Sequence, residues 1–248
     1  MCIRDSGKSV SLGDMFLSDF IQPRCYATYQ ILQEAWSRLH RLYWEKPDTV
    51  SSLSRAIGLF NIMVKLVWNI VNTKISYRRD SKVFRRADFW QLPNETWTSK
   101  SGDCEDITFL LASAVEWLKA GWRESEARVY ACIGYYRDRS NRFYGHSFAL
   151  YRHPKIADRW LWIETTLDHE VELSVWLNWN PQTLIPVYFF NSTEAYRLDR
   201  DYEKLGLTRD YVNSHRDIID RMIEYVETGR RLDISWMHKS TRVPELVW

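Results

Sequence analysis

The run Ser99-Lys100-Ser101-Gly102-Asp103-Cys104-Glu105-Asp106-Ile107-Thr108-Phe109-Leu110-Leu111 passes from a polar turn into an apolar repeat, and its reading decides the fold. Ile107, Leu110, Leu111, Ala114, Val115 and Leu118 recur at three- and four-residue steps, the spacing of one face of an α-helix. Asp103 has the chemistry of an N-cap, Asp106 completes an approximate capping box, and Gly121 supplies a stop. Cys104 therefore falls in the first turn of an amphipathic helix, where backbone N–H groups lack intrahelical partners.

Outward from this helix the character changes on both sides. Toward the C-terminus, Arg128–Tyr136, His146–Tyr151, Trp160–Thr165 and Leu184–Phe190 are rich in aliphatic and aromatic residues, as strands are, and Asp138-Arg139-Ser140-Asn141 makes a turn between the first two. Ser192–Leu232 then returns to charged amphipathic helix, with Ile218, Ile219, Met222, Ile223 and Val226 as its clearest stripe. Toward the N-terminus, Asp14–Glu45 carries helical spacing in Ile31, Leu32, Ala35, Leu39, Leu42 and Tyr43. A further helix is expected over Ser54–Lys74, burying Ile57, Phe60, Met63, Val64, Val67, Trp68 and Val71, and a polar stretch follows from Tyr77 to Lys100. Helices, then strands, then helices predict an α+β fold without internal repeats. The expected division is an N-terminal helical segment at 14–60, a core at 61–191 and a C-terminal helical extension at 192–248.

Composition narrows the function classes. The chain has 248 residues, 45% hydrophobic and 27% charged, enough to bury one sizeable core. Its 34 basic and 32 acidic residues are interspersed, so no single-sign field points to nucleic acid or an anionic membrane surface. The apolar stretch Gly58–Ile75 is interrupted by Asn61, Lys65, Asn69, Asn72 and Lys74, too often for a membrane span of about 20 apolar residues. Cys2, Cys25, Cys104 and Cys132 form no CxxC pair, which predicts neither disulfides nor a zinc site and makes a reduced, cytoplasmic compartment the default. The absence of a glycine-rich phosphate loop removes nucleotide and nicotinamide cofactors from consideration. The opening Met1-Cys2-Ile3-Arg4-Asp5-Ser6 resembles a string that recurs at the head of proteins translated from assembled environmental DNA, so 1–13 is read as an appended, unstructured start.

A thiol attacks only as thiolate, and a helix N-terminus favours the anion, so Cys104 stands where a nucleophilic cysteine belongs. The same N–H groups are placed to donate to an oxyanion. A lone cysteine at a helix start is more often a small buried residue, and the surrounding strings are what favour chemistry. They are Lys100-Ser101-Gly102-Asp103-Cys104-Glu105-Asp106, then Gly145-His146-Ser147-Phe148-Ala149-Leu150, then Trp160-Leu161-Trp162-Ile163-Glu164-Thr165-Thr166. An imidazole titrating near neutrality is suited to take the thiol proton and return it to a leaving group, the role expected of His146. A carboxylate on the neighbouring strand would fix the imidazole's tautomer; Glu164 is preferred, with Asp168 as the alternative.

In these strings and their order the chain resembles the transglutaminase-like superfamily, whose triad is Cys at a helix start, His on one strand and an acid on the next. Asp88-Phe89-Trp90-Gln91-Leu92-Pro93-Asn94-Glu95-Thr96 resembles the lead-in to the GDCED motif of bacterial and archaeal members, and the likeness spans about Val67 to Asp168. It implies a papain/transglutaminase-like core, with the catalytic helix packed on an antiparallel sheet, and Glu164 at the position more often held by Asp. It also implies an oxyanion or positioning role for Trp90 or Gln91, as against core packing for Trp90. Acids beside the cysteine bind calcium in some periplasmic members, so Asp103, Glu105 and Asp106 are candidate ligands; the other reading is a cap and first turn that complement the helix dipole.

The expected function is cysteine-dependent acyl transfer at amide bonds, with peptide hydrolysis through a Cys-His-Glu/Asp triad preferred. The alternatives are crosslinking with an amine as acceptor, and a non-catalytic binding or scaffold domain. The implied partner is a protein or peptide substrate.

Overall fold

The computed structural model describes residues 16–79 and 90–228, together with the backbone of Cys2–Asp5 and Lys8–Ser11. Asp88 and Phe89 of the lead-in string, and residues 229–232 of the expected C-terminal helix, lie outside the described residues. Within the expected unstructured start, β1 (Cys2–Asp5) and β2 (Lys8–Ser11) pair antiparallel. A 3-10 turn at Leu17–Phe20 leads to α1 (Tyr26–Glu45), α2 (Pro47–Ile57) and α3 (Leu59–Lys74). Then come β3 (Ser76–Tyr77), α4 (Pro93–Ser99), β4 (Ser101–Gly102) and α5 (Cys104–Trp122). The strands β5 (Arg128–Arg137), β6 (Phe143–His153), β7 (Ala157–Ile163), β8 (Leu177–Asn178), β9 (Leu184–Phe190) and β10 (Ala195–Arg197) follow. The described chain closes with α6 (Leu198–Asp201), a 3-10 turn at Tyr202–Leu205, α7 (Arg209–Ser214) and α8 (Arg216–Thr228).

The fold is α+β. Its sheet has the order β10-β9-β5-β6-β7-β8, antiparallel throughout. The expected strands are all present, and the short β8 and β10 extend the sheet at its two edges. α5 lies across β5 and β6, with α1 and α3 packed against it. Ile107, Leu110, Leu111 and Val115 are buried, and each contributes roughly 1.5–3 kcal/mol, which fixes the rotation of α5 and so the direction Cys104 faces. Gly134 marks a bulge between β5 and β9: a Cβ there would fall 1.9 Å from the Ile185 carbonyl oxygen, so only glycine lets the strands approach.

The helix expected over Ser54–Lys74 is two helices. Gly58, at φ 81°, ends α2, and α3 departs at 109°. α3 is buried almost all round, so the polar residues that interrupt its apolar pattern, Asn61, Lys65, Asn69 and Asn72, are interior as well. One continuous core runs from the 3-10 turn before α1 through the sheet to α8, and the division expected at 60/61 falls inside α3. Among the described residues, no single helix is long and apolar enough to cross a membrane.

Candidate active site

The start of α5 is held from three directions. β4 pairs in parallel with β3, setting Tyr77 opposite Gly102, and Lys100 takes a left-handed conformation at φ 53° to turn the chain into β4. Beneath the first turn lies the fully buried Asp106 carboxylate. Its Oδ1 accepts from the Gln91 backbone N–H at 2.6 Å, and its Oδ2 accepts from Gln91 Nε2 at 2.7 Å and the Asp103 N–H at 3.2 Å. Those donors compensate a buried charge that would otherwise be costly. A Cβ on Gly102 would come within 2.6 Å of Asp106 Cβ, so the loop presses on this clamp without a side chain. Cys104, the first residue of α5, is left half-buried and open to solvent.

His146 sits on β6 opposite Gly134 of β5. The β6–β7 ladder sets Ala149 opposite Ile163, and continuing that register puts Glu164 opposite Phe148. Glu164, Phe148 and His146 therefore share one face of the sheet, with Glu164 the diagonal neighbour of His146. The contact is made: Nε2 of His146 lies 3.2 Å from Oε2 of Glu164, with the histidine side chain 4% exposed and the glutamate 0%. The other carboxylate oxygen, Oε1, accepts from the Thr166 backbone N–H at 2.8 Å and its hydroxyl at 2.6 Å, which turns Oε2 toward the imidazole. Thr108, one turn along α5 from the cysteine, hydrogen-bonds Thr165 at 2.8 Å and ties helix to acid segment.

The electrostatics follow from burial and pairing. Burial alone lowers the His146 pKa, but the Glu164 charge and hydrogen bonds to Cys104 and Glu164 outweigh it and push it up to about 10. Burial raises the Glu164 carboxyl, while the His146 charge, the bond to His146 and the two from Thr166 hold it below the usual range. The pair is thus charged at neutral pH, each partner offsetting the other's desolvation. With Nε2 on Glu164, Nδ1 is the nitrogen left for the Cys104 sulfur. Cys104 Sγ also lies 3.1 Å from Glu105 Oε2.

Cys104, His146 and Glu164 are brought together; Asp168 is not. Asp168 is exposed and pairs with its neighbour His169 at 3.3 Å. The oxyanion role considered for Gln91 needs correction, because both hydrogens of its side-chain amide are engaged, with Asp106 and with the Ser101 carbonyl at 3.2 Å. Gln91 builds the loop rather than facing substrate. Trp90 packs edge-on against Phe20 at 5.5 Å and Phe109 at 5.8 Å, a core contact. Of the acids considered as calcium ligands, Asp103 precedes α5 and Glu105 and Asp106 lie in its first turn. Asp106 is turned inward onto Gln91, and among the described residues no group of three or more His, Cys, Asp or Glu side chains is placed to hold a metal.

Three contributors escaped the sequence. Tyr77 is set beside Cys104 by the β3–β4 pair; burial first, then the charges of Cys104, Asp103 and Glu105, push its phenol well up, so it stays an O–H donor. Thr166 and Thr108 carry no signal beyond being threonines. Away from Cys104, His146 and Glu164, a cavity of about 530 Å³ lined by Tyr29, Trp36, Trp117 and Trp122 opens between α1 and the far end of α5.

No protein-family model and no curated protein matches the chain. Among solved structures it is similar to three of Legionella pneumophila LapG, including an EGTA-treated and a calcium-bound one. Identity is 17–18%, coverage 79% of this chain and 97–98% of the other, and the TM-score 0.40–0.41.

Proposed function

We propose that the chain is a cysteine-dependent acyl-transfer enzyme that hydrolyses amide bonds of a protein or peptide substrate. The observation that carries the reading is His146 set 3.2 Å from the buried Glu164 carboxylate and next to the half-buried Cys104, so that acid, imidazole and thiol adjoin in that order. Isolated buried histidines lose their proton; one that keeps it against an acid and a thiol is arranged for proton transfer.

In the proposed reaction the Cys104 proton resides on His146 and the thiolate attacks the substrate carbonyl carbon, forming the S–C bond. Backbone N–H groups at the start of α5 face the oxyanion. The C–N bond breaks as His146 gives its proton to the leaving amine, leaving a thioester. Water then loses a proton to His146 and attacks the thioester carbonyl, and the carboxylic acid departs as the proton returns to the Cys104–His146 pair. Glu164 holds the imidazole and stabilises its charge throughout, without accepting the proton.

The test is alkylation of Cys104 by iodoacetamide from pH 5 to 10, in wild type and His146→Ala, with the buried Cys132 as internal control. Rapid reaction at pH 6 that His146→Ala abolishes supports the pair. Slow reaction in both proteins overturns it. A peptide-library digest read by mass spectrometry then identifies the acceptor: new free carboxyl termini for water, captured amine for crosslinking.

A further inference from the structure

The polar residues inside α3 have a use that the triad alone does not explain. Lys65, Trp68 and Asn69 stand three and four residues apart, so they share a helix face. Asn69 grips Val171 at both main-chain atoms, donating to its carbonyl and accepting from its N–H, each at 2.8 Å. Lys65, fully buried, donates to the Val175 carbonyl, and its ammonium lies 4.0 Å from the ring centre of Trp68 and 4.5 Å from that of Trp176. Trp68 donates its indole N–H to the main-chain carbonyl of Glu164 at 2.7 Å. The segment from Glu164 to Trp176 is thereby strapped to α3 at three points.

We infer that Trp68 is a positioning residue for Glu164, holding the acid's main chain from the core side, and that Lys65 keeps Trp68 and the strap in place. The inference rests on the proposed triad. Trp68 touches the Glu164 backbone and no reacting atom, so its effect passes through the carboxylate that Thr166 aims at His146. A buried ammonium is expensive, and an apolar side chain would fill the same space at less cost. What lysine adds is a donor for Val175 and a terminal amine seated against the indole face of Trp68, which fastens the strap and the indole together. Without the strap, Glu164 follows the last residue of β7 with the Thr166 turn and the side-chain bond of Thr165 to Thr108 left to fix it.

The experiment uses Trp68→Phe and Lys65→Met in the full chain. Cys104 alkylation is followed against pH, and the His146 titration by NMR of the ring protons. Both variants are expected to lower the pH at which His146 loses its proton, by about one unit for Trp68→Phe, equivalent to a tenfold weaker hold on the cation. Alkylation at pH 6 slows accordingly. Should Trp68→Phe fail to fold, Lys65→Met decides. Folded variants whose His146 titration and alkylation profile superimpose on wild type would overturn the inference, even with reduced stability. If wild-type Cys104 reacts independently of His146, the triad itself fails, which is a different result.

Discussion

Replacing Lys65 with methionine tests the energetics of the strap without any substrate. Lys65 is fully buried, and burial, the sole cause acting on it, lowers its pKa from 10.5 to about 7. The unfolded chain therefore binds more protons than the native one between pH 7 and 10.5. Native stability gains from this residue as pH rises through that window and is penalised in full below it. Integrating between pH 6 and pH 10 gives a difference of about 4 kcal/mol, an upper figure because the indole faces favour the cation. Methionine fills similar space and does not titrate, but it strands the Val175 carbonyl, which costs about 1–3 kcal/mol at every pH. Relative to wild type, Lys65→Met should be neutral or stabilised at pH 6 and destabilised at pH 10. Urea unfolding followed by tryptophan fluorescence at five pH values measures this, and His146, present in both proteins, cancels in the difference. A stability difference flat from pH 6 to 10 would refute the assignment of a buried, titrating lysine.

Three further outcomes follow from the site. Glu105→Gln removes a negative charge 3.1 Å from the Cys104 sulfur and should speed alkylation at pH 7 several-fold; slower or unchanged reaction would show that Glu105 is not opposing the thiolate. His146 is held up to about 10, so its contribution to stability is complete below its unfolded value near 6.5 and lost as pH rises through about 10. Glu164 is held down, so its contribution is present above about 4.5, the unfolded value, and lost as pH falls through its folded one. The stability gap between wild type and His146→Ala is accordingly widest near pH 5 to 6.5 and shrinks toward pH 10, and a constant gap in thermal melts would contradict the pairing. Gly134→Ala would force a Cβ to 1.9 Å from the Ile185 oxygen and should cost about 3 kcal/mol or more in urea unfolding; an unaltered midpoint would mean that β5 and β9 yield easily.

The legible parts of the fold are those where local pattern and tertiary packing agree. α5 is readable because cap, apolar period and stop coincide within one stretch, whereas Cys104, His146 and Glu164 stand out through the strings that resemble the transglutaminase-like superfamily. Gly58 was misread because apolar spacing continues across it while its positive φ leaves no trace in the pattern. The choice between Glu164 and Asp168 depends on where the β6–β7 ladder stops, a matter of register that composition does not report. Gln91 suggested an oxyanion donor until its amide was found bonded to Asp106, 15 residues away. Lys65 and Asn69 read only as interruptions of an apolar helix, and their partners stand 110 and 102 residues downstream, beyond any local signal.

The β5–β6 ladder runs unbroken from Arg128 opposite Arg152 to Arg137 opposite Phe143, and β9 covers the far edge of β5. Such a centre is expected to open last, with amide exchange through global unfolding, and His146 belongs to it. Cys104 is carried by the helix lying across those same strands, and Glu164 stands one residue past β7. The three groups thus belong to one cooperative unit. Heat inactivation should then coincide with loss of the whole fold, with no stage at which a native-looking protein has already lost its thiol–imidazole pair.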